Sequence, residues 1–150
     1  MRLLVTEESG KLARWLRLMG YDTELAKTGA LPELYRQACN EQRVVVTRNQ
    51  RVRPSSFFRV IRLASPMLQQ QLQQLKQELG VAFDEERAFT RCDQCNAALE
   101  PVAKAQVEGR VPPFVYQTQQ EFRRCPACGR LYWPATHAQR IRRVLEQVSA

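Results

Sequence analysis

The chain has no apolar run that approaches the roughly 18 to 20 residues of a membrane-spanning helix. Its opening, MRLLV, is too short and too soon followed by acids to be a secretory leader. No internal repeat is evident, and the glutamine-rich stretch between Met67 and Gly80 carries leucines at Leu68, Leu72, Leu75 and Leu79, which mark a packed helix rather than a low-complexity linker. A single histidine, His137, stands beside Thr136 at the start of the last helix, where it reads as a helix-end residue rather than a metal ligand or a general base. These absences point to a cytoplasmic protein without a membrane partner.

What is present is a chain of 150 residues, 44% hydrophobic, enough for one ordinary core or a small domain carrying a smaller module. The formal charge is +8 and the pI is about 9.7, a balance that favours a polyanionic partner such as nucleic acid. Fourteen of the 23 Lys and Arg precede Phe89 and nine follow it, so neither half is a basic tail. Most are Arg, which grips phosphate bidentately where Lys offers a point charge.

Met1 to Thr23 reads as a short strand (Leu3, Leu4, Val5), a polar turn from Thr6 to Ser9, and a basic amphipathic helix from Gly10 to Met19 that stops at Gly20. Leu12, Trp15, Leu16 and Met19 form its apolar side, while Lys11, Arg14 and Arg17 form a basic edge. A second strand follows over Asp22 to Ala26, then a helix from Pro32 to about Gln42, with Cys39 read as a small buried hydrophobe. Val44-Val45-Val46 is the signature of a strand buried on both faces. Its following loop carries Arg48, Arg51 and Arg53 without an acid. A strand over Phe57 to Leu63 and a helix capped by Ser65 and started by Pro66 complete an open parallel α/β sheet.

Past Phe83 the text changes to cysteines, prolines and turn residues, which places a module boundary near residue 88: an α/β domain over 1–88 and a metal module with a C-terminal helix over 89–150. That final helix is expected to start at Thr136 and to bury Ile141, Val144, Leu145 and Val148. Cys92-x-x-Cys95 and Cys125-x-x-Cys128, with 29 residues between the pairs, suit a zinc ribbon in which each knuckle gives two thiolates to one Zn²⁺. A four-thiolate sphere has no open position, so such a zinc is structural. Disulfides are disfavoured in a chain without a secretion signal, and a thioredoxin-like motif would not need two pairs.

GKLARWLRLMGYDT at residues 10 to 23, VVVTR at 44 to 48, RCDQCN around the first knuckle, VPPFVY at 111 to 116 and RCPACGRLYWPATH at 124 to 137 together resemble the C-terminal RNase family of Mut-seven, PIN-like nucleases fused to a zinc ribbon. The resemblance implies a PIN-like parallel sheet and a ribonuclease whose acids hold Mg²⁺ or Mn²⁺ at the carboxyl edge of the sheet, where the ion would activate water and screen the phosphate. It also implies an Asp four residues before the Gly of GKLAR, a second seven residues before the core Ala of the second helix, and a third after Thr-Arg. At those positions stand Thr6, Leu31 and Asn49. The expectation is a non-catalytic RNA-binding member that keeps Lys11, Arg14, Arg17, Arg48, Arg51 and Arg53 around the old cleft. The alternatives are a metal-dependent nuclease that substitutes Glu7, Glu8 or Glu33, and a protein-interaction module of a ribonucleoprotein.

Overall fold

The computed structural model describes residues 1–27, 29–133, 139 and 141–143. Strands β1 (Arg2–Val5), β2 (Asp22–Leu25), β3 (Val44–Thr47) and β4 (Val60–Arg62) form one parallel sheet in the order β2-β1-β3-β4. Helices α1 (Gly10–Leu18), α2 (Leu31–Glu41) and α3 (Leu68–Leu79) connect and cover it.

Strand alternation sorts the apolar residues into two cores. Leu3, Val5 and Val46 join Leu12, Leu16 and Met19 of α1 and Leu72 and Leu75 of α3 on one face. Leu4 and Val45 join Leu34 and Ala38 of α2 on the other. Both faces of β1 and β3 are therefore dry, which is why their sequence shows no polar alternation. Ile141 is 2% exposed and belongs to the core of α1 and α3, so the chain's last described turn returns to the α/β body. Thr136, His137, Val144, Leu145 and Val148 lie outside the described residues.

Three local expectations need correction. The fourth strand starts at Val60, not Phe57, because Phe58 turns inward onto Tyr35, with ring centroids 5.3 Å apart. Helix α3 begins at Leu68 rather than Pro66. Ser65 Oγ accepts the Met67 amide at 3.0 Å and the Ser65 carbonyl accepts Gln71 Nε2 at 2.9 Å, so Ser65 closes a turn ahead of the helix. Cys39 is exposed rather than buried. Gly20 ends α1 at φ +92°, and a Cβ there would lie 2.2 Å from the Arg87 carbonyl oxygen, so the turn that leads out of the sheet packs where only glycine fits.

The second sheet is antiparallel and small, with β5 (Glu100–Val102), β6 (Phe122–Arg124) and β7 (Leu131–Tyr132) in that order. Between β5 and β6 run the short helices α4 (Lys104–Val107) and α5 (Pro113–Thr118). Val107, Val111 and Phe122 form its own buried cluster.

Candidate functional site

Because β1 and β3 are parallel neighbours, their carboxyl ends lie side by side, and the start of α2 comes up beside them. The result is a cleft of about 320 Å³ lined by Thr6, Glu7, Glu8, Gly29, Leu31, Leu34 and Asn49. Residues 6, 31 and 49, far apart in sequence, thus meet in one place.

The polar wall of this cleft is a short ladder. Thr6 Oγ1 donates to Glu8 Oε1 at 2.5 Å and lies 2.8 Å from Thr47 Oγ1. Thr47 Oγ1 accepts the Asn49 amide at 2.9 Å, and Glu8 Oε1 accepts the Arg48 amide at 3.0 Å. Partial burial pushes the Glu8 carboxyl up, but the Thr6 hydroxyl and the Arg48 amide outweigh it and hold the group below the usual carboxylate range. Glu8 is consequently an ionised anchor for the loop after β3. Thr47 and this anchoring role of Glu8 were not foreseen from the sequence; the adjacency of β1 and β3 is the signal that would have found them. Glu33 is elsewhere, in a separate groove with Glu24, Lys27, Arg36 and Gln37.

The basic residues divide. Lys11 and Arg48 share a groove of about 560 Å³ on the far side of Glu8, together with Trp15, Met67 and Gln71. Arg51 and Arg53 are exposed on the loop after β3. Arg14 instead reaches Asp93 at 2.9 Å. Arg17 is 7% exposed: its Nε donates to the Thr23 carbonyl at 2.8 Å and its Nη1 to the Asp93 and Gln94 carbonyls at 3.0 and 3.2 Å. Arg17 is thus taken out of the solvated basic edge, while Arg14 stays exposed with its guanidinium on Asp93.

The four cysteines form the second candidate site. The Sγ atoms of Cys92, Cys95, Cys125 and Cys128 all lie within 4.8 Å of one another. A tetrahedron with metal–sulfur bonds of about 2.3 Å has edges of about 3.8 Å, and Cys92 Sγ and Cys128 Sγ are 3.7 Å apart. The set therefore fits a metal ion such as zinc. Each knuckle is followed by a left-handed residue, Asn96 at φ +63° and Gly129 at φ +77°. The Gly129 amide closes its turn on the Cys125 carbonyl, and the Asn96 amide closes the other on that of Cys92, each at 2.9 Å. Tyr132 hydroxyl lies 3.1 Å from Cys92 Sγ, accepts the Asp93 amide at 3.2 Å and donates to the Asp93 carboxylate. Burial pushes the Cys92 thiol up, yet the Tyr132 hydroxyl shared with Asp93 and the Cys95 and Gln94 amides bring it down to about 7, while Cys95 beside it is pushed up to about 12 by Cys128 and the other thiols.

Asn96 also clamps the ribbon to the sheet. Its Oδ1 accepts the Thr23 amide at 3.0 Å, and its Nδ2 donates to Asp22 Oδ1 at 2.8 Å and Glu24 Oε1 at 3.1 Å. With Arg17 on the Thr23 carbonyl, both backbone groups of Thr23 are satisfied on edge strand β2, which would otherwise stand open to pairing.

A family model described as Mut7-C RNAse domain matches residues 1–145. The chain belongs to that family. The match spans the cleft, the four cysteines and the docking network, so the Mut7-C domain is the parallel sheet and the ribbon together. No curated protein and no solved structure matches the chain. Among the described residues no helix is long and apolar enough to cross a membrane.

The clamp has an acid-range consequence. Burial raises the Asp22 carboxyl, but Asn96, Arg43 and the charge of Arg91 hold it down at about 2 against an ordinary 3.8. A pKa depressed on folding contributes stability that is complete above about pH 4 and lost as the pH falls towards 2. Asp22→Asn should cost about 2 kcal/mol at neutral pH. In urea titrations the difference from the parent should shrink steadily between pH 4 and pH 2.

Proposed function

We propose that this Mut7-C domain binds RNA without cleaving it, and that its four cysteines hold a structural zinc. The observation that carries the reading is the convergence of Thr6, Leu31 and Asn49 in one cleft at the carboxyl edge of the sheet. A hard divalent cation takes oxygen ligands, preferably carboxylates. Leu31 offers none. The Thr6 hydroxyl is spent on Glu8, and Asn49 Oδ1 accepts the Arg51 amide at 2.9 Å. Glu8 Oε1 already carries hydrogen bonds from Thr6 and Arg48. Positions 6, 31 and 49 therefore bring no carboxylate for a catalytic Mg²⁺ or Mn²⁺.

Support for RNA comes from the charge around the same cleft. Lys11, Arg48, Arg51 and Arg53 have no ion-pair partner among the described residues. Loss of three aspartates from such a surface also removes repulsion of phosphate.

A second reading, a metal-dependent ribonuclease, is favoured by one observation: Glu7 and Glu8 both line the cleft. Paramagnetic resonance of Mn²⁺ titrated into the protein separates the two. The hexaaqua signal should stay undiminished at millimolar Mn²⁺. Stoichiometric loss of that signal, restored in Glu7→Gln/Glu8→Gln, would establish the second reading.

A further inference from the structure

Between Glu41 and Glu78 the sequence has no acid, while it carries Arg43, Arg48, Arg51, Arg53, Arg59, Arg62 and Lys76. The loop from Arg48 to Phe57 lies at the centre of this stretch. It has almost no regular structure, yet it is tightly fixed. Val52 is fully buried beneath α2. Arg62 donates to the Asn49 carbonyl at 2.8 Å and to the Val52 carbonyl at 2.6 Å. Tyr35 hydroxyl accepts the Arg53 amide at 3.1 Å, and Asn49 Oδ1 holds the Arg51 amide. Ser55 Oγ accepts the Phe57 amide at 3.1 Å. Of the Phe57-Phe58 pair, the second stacks on Tyr35, and the first is left 79% exposed.

An exposed phenyl ring gives up the free energy of burial. Here it is displayed on a preorganised loop with Arg48, Arg51 and Arg53, which have no ion pairs among the described residues. That combination suits an unpaired base stacked on the ring with its flanking phosphates on the guanidinium groups. A duplex keeps its base faces stacked internally and offers the ring nothing. Because the loop is already ordered, binding would not have to order it.

We infer that Phe57 is a base-stacking residue and that Arg51 and Arg53 are its phosphate contacts, so that the loop selects single-stranded over double-stranded RNA. The inference rests on the RNA-binding reading and adds the strand state and the contact residue.

The test compares binding of a fluorescein-labelled oligouridylate and a blunt duplex RNA to the full metal-loaded chain and to its Phe57→Ala and Phe57→Trp variants. Phe57→Ala should weaken the single strand about tenfold and leave the duplex unchanged. Phe57→Trp should restore or strengthen single-strand binding, with no change in thermal midpoint for either variant. Equal single-strand affinity for the parent and Phe57→Ala would overturn the inference while leaving the RNA reading standing. A parent that binds neither RNA would overturn both, and capture of a protein through Phe57 would then assign the loop to a protein partner.

Discussion

Removal of the metal from the four cysteines is expected to unfold the ribbon and to destabilise the parallel sheet as well. Structural zinc contributes about 10 to 16 kcal/mol in isolated peptides, more than a ribbon with two small buried clusters supplies for itself. Release of the first knuckle then takes away the carbonyls that hold Arg17 and the side chain of Asn96. The Arg17 guanidinium keeps the Thr23 carbonyl but loses its two knuckle acceptors, and the outer edge of β2 loses its cover. With about 1 kcal/mol for each of these hydrogen bonds, the α/β body should lose roughly 3 to 5 kcal/mol, a fall in melting temperature of about 10 °C or more. Metal analysis, chelator treatment and thermal circular dichroism together check this. Arg17→Met in the metal-loaded protein should lower the melting temperature without loss of metal, because it breaks the dock and leaves the thiolates. A metal-free chain with an unchanged melting transition, or a protein purified with far less than one metal per chain, would contradict the assignment.

Replacement of Arg48, Arg51 and Arg53 together by alanine is expected to weaken RNA binding roughly hundredfold near physiological salt and to flatten its salt dependence. Each phosphate contact on a single strand contributes about −0.7 to the slope of log K against log salt. Three lost contacts should therefore bring the slope closer to zero by about 2. Fold stability should change little, since all three side chains are exposed. By contrast, Arg14→Ala should leave the salt slope nearly intact, because its guanidinium is on Asp93. A triple variant with parental affinity and slope would move the RNA surface away from this loop.

The contrast between Arg14 or Arg17 and Arg48 shows what a one-dimensional reading can reach. The buried faces of β1 and β3 were legible because Val44, Val45 and Val46 admit no solvated side. Residues 6, 31 and 49 were marked only by the family resemblance, and the adjacency of β1 and β3 brings them to one cleft. The cysteine cluster was legible from two short repeats of ligand spacing. The fate of Arg17 was not, because its acceptors are carbonyls of Asp93 and Gln94, at sequence separations of 76 and 77 residues. A helix wheel shows a charge on the polar side and gives no sign that a ribbon covers it. Asn96 was likewise invisible: it reads as a turn residue after a knuckle, while its amide completes the edge of β2. Cys39 failed for the opposite reason, since a small apolar side chain near a helix stripe can point either way.

The loop after β3 links the two halves of the functional reading. Asn49, which occupies an acid position of the family pattern, uses its side chain to fix the backbone that displays Arg51. Glu8, which accepts the Thr6 hydroxyl in the same cleft, holds the Arg48 amide. Side chains at the carboxyl edge of the sheet thus organise a cationic loop, which is the physical content of the proposal that the domain binds RNA without cleaving it.

One sample tests that proposal most directly: a labelled single-stranded RNA incubated with the metal-loaded chain in millimolar Mn²⁺, read first by anisotropy at several salt concentrations and then on a denaturing gel. The account predicts salt-sensitive binding and RNA of full length. Cleavage that requires Mn²⁺, stops with chelator and is abolished in Glu7→Gln/Glu8→Gln would contradict it.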